Sequence, residues 1–428
     1  MIRNELIPEV DEKEYGEVYP RYGGQSLANV PHTVAEALGV APFRSPIDKR
    51  LYRDCIGFEG IRKVVLVLLD GFGYNMWLAA RNVPGFFNVI SKKGIVVPIT
   101  TVFPSTTAAA VTTVSTGLTP IEHGLPEWVV YMKEIGTIIN TLPFTEFMAE
   151  ERVDLAKRGV DPRILYDGTT VYQRLRKEGV KSITLTHREI MKSAYTSLIR
   201  KGADNEGFVY PTDAVIKLRR IIESEKGMAY INMYMANIDS STHNFGPFSE
   251  ESNAEIGAMS QALKVNLLDK VGRAAAKDTL IMVTADHGHT HIDIKKVMYM
   301  NRDRKVYGYL ASDRGRKILP TGSPRGVFLH VKEQKTDEAV QYLQRKFHGV
   351  ARVVRTEDAV RMGLFGAVKP HRKFMDRVGD VIILPKDHKA VWYEHIKGRK
   401  HHHIGVHGGL SMNEMVIPLA MARLSDLI

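Results

Sequence analysis

Three aspartates and three histidines stand where metal chemistry could use them: Asp70, Asp239 with His243, Asp286 with His287, and His407. Carboxylate oxygen is a hard ligand and imidazole nitrogen a borderline one, and such a mixture suits zinc, with manganese next. The stretch 101–117, TVFPSTTAAAVTTVSTG, is rich in hydroxyls that could act as a nucleophile at the same centre. Two divalent ions beside an activated hydroxyl fit an in-line displacement at phosphorus, so the pattern points to hydrolysis of phosphate esters. Each element alone has a plainer reading. Asp70 before Gly71-Phe72-Gly73 could only cap a turn, Asp286-His287-Gly288 is a common turn sequence, and His407 within GVHGG reads as a surface loop. Their agreement, rather than any one of them, carries the chemistry.

The elements that must position these residues alternate between strand and helix. Apolar runs at 64–69, 182–186, 229–238 and 280–285 suit strands covered on both faces. Asp70, Asp239 and Asp286 each follow one of these runs, and in a wound parallel sheet ligands collect at the carboxyl ends of the strands. Residues 253–276 repeat apolar side chains at helical spacing, through Ile256, Met259, Leu263 and Leu267. Asp239 and His243 share one side of a helix if Asp239 opens it. Pro104 and Ser105 signal a helix start, where a hydroxyl would meet the positive end of the helix and its free amides. The fold class is therefore α/β, a mainly parallel sheet with helices on both faces. Residues 325–331 and 351–355 read as strands, 336–347 as a helix capped by Thr336, and 357–362 as a short helix. These form an expected small α+β lobe at 295–371, separately packed and inserted into a core made of 1–294 and 372–428.

At 428 residues, 44% apolar and 25% charged, the chain has the composition of a globular protein too long for one small core. The net charge of +11 is spread over clusters at 302–305, 314–317 and 371–373. No long basic run and no nucleic-acid motif accompanies it, so nucleic acid is not indicated. A single cysteine, Cys55, excludes an intrachain disulfide and suits a reducing compartment. The first nineteen residues show no apolar leader core, and the 64–69 run is too short to span a bilayer, so the expectation is a cytoplasmic protein without a membrane partner.

Taken together, these residues resemble the alkaline phosphatase superfamily, and most closely its type I phosphodiesterase and nucleotide pyrophosphatase branch. The resemblance runs from about residue 64 to residue 419. Besides the ligand candidates it rests on Gly117-Leu118-Thr119-Pro120-Ile121-Glu122-His123-Gly124 and on His407-Gly408-Gly409-Leu410-Ser411 followed by Glu414-Met415 and Pro418-Leu419. The family spacing, counted back from Gly117, makes Thr107 the nucleophile, with Thr106 and Ser105 as its neighbours in register. The resemblance implies that Asp70, Thr107, Asp286 and His287 hold one metal and Asp239, His243 and His407 the other. It further implies attack by the Thr107 alkoxide, a phosphothreonine intermediate and its hydrolysis.

One departure concerns the substrate. Many nucleotide pyrophosphatases carry an asparagine where this chain has Trp128, preceded by Glu127. Glu127 is expected to add a negative charge and Trp128 an apolar surface, which together favour a singly charged diester or a nucleotide over a phosphate monoester. Phe72 is a further candidate for the pocket wall. His289 and His291 are expected to support ligands by hydrogen bonds, and His401, His402 and His403 to form a solvated loop. A phosphomonoesterase or phosphonate hydrolase using the same two ions is the alternative activity. A catalytically silent metal-binding protein is a third reading.

Overall fold

The computed structural model describes residues 1–8 and 16–428. A seven-stranded sheet forms its centre, in the order Ile95–Thr100, Val416–Arg423, Thr279–Thr284, Lys63–Leu69, Ala229–Met235, Lys181–His187, Asp204–Phe208. The last five of these run parallel, while Val416–Arg423 runs antiparallel to both of its neighbours. Strands Lys63–Leu69 and Thr279–Thr284 are buried at every position, as expected of Val- and Leu-rich runs covered on both faces. The sheet is flanked by helices, and the core built around it contains Val65, Leu66, Val283 and Leu419.

This topology gathers the candidate ligands. The strands ending before Asp70, Asp239 and Asp286 are adjacent and parallel, so their carboxyl ends share one edge. An antiparallel strand enters where its neighbours leave, and the segment before Val416–Arg423 therefore brings His407 to that same edge.

Several elements differ from the sequence expectation. The run at 229–238 splits, because the strand stops at Met235 and Ile238 belongs to helix Asn237–Phe245, which carries both Asp239 and His243. The long helix at 253–276 is broken: Glu250–Leu263 is α-helical, Lys264–Leu268 is a π turn, and Arg273–Lys277 is a separate helix. The Asp269 amide donates to the Lys264 carbonyl at 3.0 Å, and the widened turn lets the consecutive Leu267 and Leu268 both face inward. Thr336 is the first helical residue and does not cap helix Thr336–Lys346, which Lys335 precedes without a side-chain cap.

The lobe has a core of its own on one face of its sheet and joins the main core on the other. Its four-stranded sheet, Thr321–Ser323, Gly326–Leu329, Val381–Pro385, Ala351–Arg355, takes in a strand beyond residue 371. The alternation of strand side chains explains the attachment. Val327, Leu329, Val381, Ile383 and Val353 face the lobe helix Thr336–Lys346, through Ala339, Val340 and Leu343. Phe328, Ile382 and Leu384 on the other face join the main core.

Candidate metal centre and active site

Asp70 leaves its strand into Gly71, whose φ of +73° suits glycine, and a Cβ there would stand 2.6 Å from His289 Nε2. Gly73 and Gly288 pack equally closely, since a Cβ on Gly288 would lie 2.1 Å from the Asn413 carbonyl oxygen. The glycines flanking these ligands therefore let three loops approach backbone to backbone.

In the first half of the site Asp70, Asp286 and His287 are all buried, with ligand atoms within 4.8 Å of one another. His287 Nε2 is 3.4 Å from Asp70 Oδ1, 3.3 Å from Asp286 Oδ2 and 3.1 Å from Thr107 Oγ1. The other carboxylate oxygens are fixed. Tyr234 donates its hydroxyl to Asp70 Oδ2, and the Gly71 and His287 amides donate to Asp286 Oδ1 at 3.0 and 2.9 Å. Asp70 Oδ1 and Asp286 Oδ2 have no hydrogen-bond partner among the described residues. Two buried carboxylate oxygens aimed at one point without a proton donor are costly unless a cation satisfies them. The donor set thus fits a divalent ion.

Burial, and then the charges of Asp286 and Asp239, push the Asp70 carboxyl well above the usual carboxylate range. Burial raises Asp286 to about 7 and lowers His287 to about 3. Three carboxylates in one buried cleft resist ionising together, and a bound cation reverses that balance.

The second half holds Asp239, His243 and His407. Asp239 Oδ1 lies 3.3 Å from His243 Nε2, 3.8 Å from His407 Nε2 and 2.9 Å from His289 Nε2. Each candidate imidazole is oriented through its other nitrogen. His243 Nδ1 bonds the Gly405 carbonyl at 2.7 Å, His407 Nδ1 the Ser105 carbonyl at 2.9 Å, and His287 Nδ1 the Gly288 carbonyl at 3.2 Å. Donation from Nδ1 leaves the Nε2 lone pairs facing the centre, as metal-binding histidines require. Burial opposes ionisation of Asp239, yet the surrounding His243, His289 and His407 hold it well below the ordinary range. The loop carrying His407 is anchored to the lobe by a buried pair. Arg325 meets Glu414 through two contacts of 3.0 and 2.8 Å, and Glu414 also accepts the Gly409 amide at 3.0 Å.

The three hydroxyls competing for the nucleophile position differ in geometry. Ser105 donates to the Gly409 carbonyl at 2.8 Å and accepts from the Gly408 amide at 3.1 Å, so it holds the His407 loop. Thr106 turns to the Pro126 carbonyl at 3.5 Å. Thr107 alone meets His287, and it opens helix Thr107–Thr116. Thr106 rather than Ser105 stands at the N-cap, and it makes no side-chain cap, so the first amides of the helix stay free for an anion.

The site opens into a cavity of about 560 Å³. Thr106, Thr107, Glu127, Asp239, His243 and His407 line its metal side, and Trp128, Phe147, Trp392 and Tyr393 give aromatic surface. Trp128 is 41% exposed and donates from Nε1 to Asn140 at 3.2 Å. Phe72 does not line the cavity: it is fully buried against Trp77 and Phe87, because its turn directs the ring into the core. The histidine run lies in a loop, with His402 exposed and His401 and His403 half-buried, and it lines the cavity, where His403 lies 4.4 Å from the His243 ring, centre to centre. His289 was legible only as support from its place beside His287, yet its Nε2 completes a group with Asp239, His287 and His407. Tyr234 and Asn140 carried no sequence signal, as only strand pairing and the hairpin at 129–140 bring them in.

Residues 64–410 match the profile of the type I phosphodiesterase / nucleotide pyrophosphatase family. No curated protein sequence matches the chain. Among solved structures, murine ectonucleotide pyrophosphatase / phosphodiesterase 5 is similar, with a TM-score of 0.62 at 19% identity over 83% of this chain and 87% of that one. An inactive threonine-to-alanine variant of that mouse protein, in complex with AMP, aligns with a TM-score of 0.62 at 19% identity over 84% and 87% of the two chains. Phosphonoacetate hydrolase from Sinorhizobium meliloti 1021, in complex with phosphonoformate, is similar with a TM-score of 0.58 at 16% identity, covering 85% of this chain and 93% of that one. No helix among the described residues is long and apolar enough to cross a membrane.

Proposed function

Since the chain belongs to the type I phosphodiesterase / nucleotide pyrophosphatase family and is a hydrolase of that kind, we propose that it cleaves phosphate diesters or nucleotide pyrophosphate bonds through a phosphothreonine at Thr107. The observation that carries this reading is the convergence of Thr107 Oγ1, His287 Nε2 and the two unpartnered oxygens Asp70 Oδ1 and Asp286 Oδ2. Asp70, Thr107, Asp286 and His287 would hold one divalent ion and Asp239, His243 and His407 a second, with zinc preferred for this donor set and manganese next. Bound there, the ions would supply the positive charge that lowers a hydroxyl pKa and stabilises attacking and leaving oxygens.

The remaining steps belong to the chain. Thr107 attacks phosphorus from the start of its helix, whose free amides face the phosphoryl oxygens. His287, oriented by its Nδ1 contact, keeps Nε2 beside the Thr107 hydroxyl. His243 and His407, fixed by the Gly405 and Ser105 carbonyls, order the opposite side where the leaving group departs and water later enters. The inactive threonine variant of the mouse protein supports a threonine in this role.

Trp128, Phe147, Trp392 and Tyr393 give the cavity room for an organic group beside the phosphate. No Arg or Lys occurs at 101–130, and the cations on the cavity wall are Arg152, Arg399 and Lys400. The aromatic wall, which can cover an organic group, favours a diester or nucleotide as the substrate. The likeness to phosphonoacetate hydrolase keeps phosphonate hydrolysis as a second reading. A cytoplasmic setting rests on Cys55 alone, a single exposed cysteine without a disulfide. Nucleotide diesters, monoesters and phosphonates assayed on one metal-loaded preparation test the assignment. Higher kcat/KM for diesters is expected, and a strong monoester preference would overturn it.

A further inference from the structure

The cavity that opens from the candidate metal centre carries three cations that the proposed chemistry leaves unused, Arg152, Arg399 and Lys400. All three are exposed while lining it, which places them at its opening. They arrive on two segments joined by aromatic contact. The Phe147 ring meets His395 edge-on at 4.8 Å between centres, and His395 in turn lies 5.4 Å from Trp392 and 5.2 Å from Tyr393. His395 Nε2 is fixed to the Pro320 carbonyl at 2.7 Å. Beyond it the loop turns through the Arg399 amide, which donates to the Ile396 carbonyl at 2.9 Å. It then leads through Lys400 to His403, whose ring stands 4.4 Å from that of His243. Three residues of extended chain span at most about 11 Å, so Lys400 enters the wall close to the candidate metal centre.

Among the described residues no carboxylate pairs with these cations, and the acids nearest to them in sequence are engaged elsewhere or turned away. Glu146 pairs with Arg158 at 3.1 Å, Asp154 accepts the Ala156 amide at 2.8 Å, and Glu394 accepts the Gly398 amide. Glu150 and Glu151 are exposed and do not line the cavity. The acids on the described wall are Glu127 and Asp239. Glu127 accepts the Trp128 amide, and Asp239 is surrounded by His243 and His289. A solvated basic surface accounts for the clusters at 302–305 and 314–317, which lie outside this cavity. It does not account for cations set on the same wall as the aromatic side chains. Uncompensated cations at the opening of a cleft create a positive potential that draws in an anion and holds it.

A phosphodiester at Thr107 carries one negative charge at phosphorus, and the free amides of helix Thr107–Thr116 meet it there. The cations at the opening therefore suit a different anion. A cavity of about 560 Å³ has room for an organic group between the two positions. Guanidinium matches the paired oxygens of a phosphate or a carboxylate, and lysine adds a point charge. We propose that Arg152, Arg399 and Lys400 form a subsite for a second anionic group, a phosphate or carboxylate carried on the organic part of the phosphodiester held at Thr107. The substrate class is thus an organic phosphodiester with a distal anion, in preference to one whose organic part is uncharged. This inference rests on the phosphodiesterase reading above.

The test uses metal-loaded protein and the nitrophenyl ester of thymidine 5′-phosphate, compared with the same ester bearing a 3′-phosphate or a 3′-hemisuccinate. Wild-type kcat/KM is expected to be about tenfold higher with the second anion, since one exposed cation contributes up to about fivefold and three act together. The double variant Arg399→Ala, Lys400→Ala is expected to bring that ratio below about threefold, and Arg152→Ala to lower it about two- to fivefold. Arg302→Ala removes an exposed cation outside the cavity and is expected to keep the ratio, which separates the subsite from the net charge of the chain. A gain with the 3′-phosphate alone identifies a phosphate as the ligand, and a gain with the hemisuccinate alone a carboxylate. A wild-type ratio near one for both esters, or an equal loss in Arg302→Ala, would overturn the proposal. Calorimetric binding of thymidine 3′,5′-bisphosphate against thymidine 5′-phosphate reads the second anion without turnover. Tighter binding of the bisphosphate by wild type but not by the double variant would support the subsite even if no ester were hydrolysed, a result that would fault the reaction instead. Equal binding preferences in both proteins would overturn the subsite.

Discussion

The two halves of the candidate site solve the same problem with opposite materials. Around Asp70, Asp286 and His287 everything is buried, acidic groups predominate, and two carboxylate oxygens lack partners. Around Asp239, His243 and His407 the side chains are 13–20% exposed, imidazoles predominate, and they already contact one another and the acid. The first half is unstable in charge without a cation, whereas the second is largely self-satisfied. A divalent ion should therefore contribute to folding stability mainly through the first half, while the second half, open to the cavity, acts on substrate and leaving group. His287 stacks on His407 at 3.6 Å between ring centres, so the halves adjoin.

The largest expected effect falls where the halves meet. Thr107→Ala should abolish covalent phosphorylation and lower turnover by orders of magnitude, whereas Thr107→Ser should retain part of it. Thr106→Ala should remain active, since its hydroxyl faces the Pro126 carbonyl. An inactive Thr106→Ala beside an active Thr107→Ala, seen by phosphate-release kinetics and intact mass, would reassign the nucleophile.

Chelation comes next and should abolish turnover in both halves, but it should lower the melting temperature chiefly through the buried one. Asp286→Asn isolates that term. In the native protein without metal Asp286 has its pKa raised to about 7 from 3.8. The stability it contributes is present below about 4 and lost as pH rises through 7, up to a few kcal/mol. With chelator present, Asp286→Asn should therefore gain stability relative to wild type between pH 5 and pH 8. A difference in melting temperature that stays constant or shrinks would remove the asymmetry.

The smallest effect concerns the wall. Trp128→Ala should reduce the ratio of diester to monoester kcat/KM several-fold without changing metal content, because it removes apolar contact with the organic group alone. An unchanged ratio would assign the preference to Phe147, Trp392 and Tyr393 instead.

Much of the candidate site was legible because its candidate ligands stand at the ends of locally coded elements. The run 64–69 forms a strand ending before Asp70, and 280–285 does the same before Asp286. What escaped depends on pairing between distant segments. The strand Val381–Pro385 lies past the expected lobe because it pairs with both Gly326–Leu329 and Ala351–Arg355, a register no local pattern reveals. Likewise His403 reaches His243 only through the fold of its loop. Phe72 reads as pocket wall from its place two residues after Asp70, yet the turn at Gly71 sends its ring into the core against Trp77 and Phe87.

Metal content tests the two-half account most directly. Elemental analysis of the purified wild type, Asp286→Ala and His243→Ala, after equilibration with zinc and removal of excess, should give about two ions per chain for the wild type and about one for each variant. Two ions retained by either variant, or a fully active wild type holding none, would contradict it.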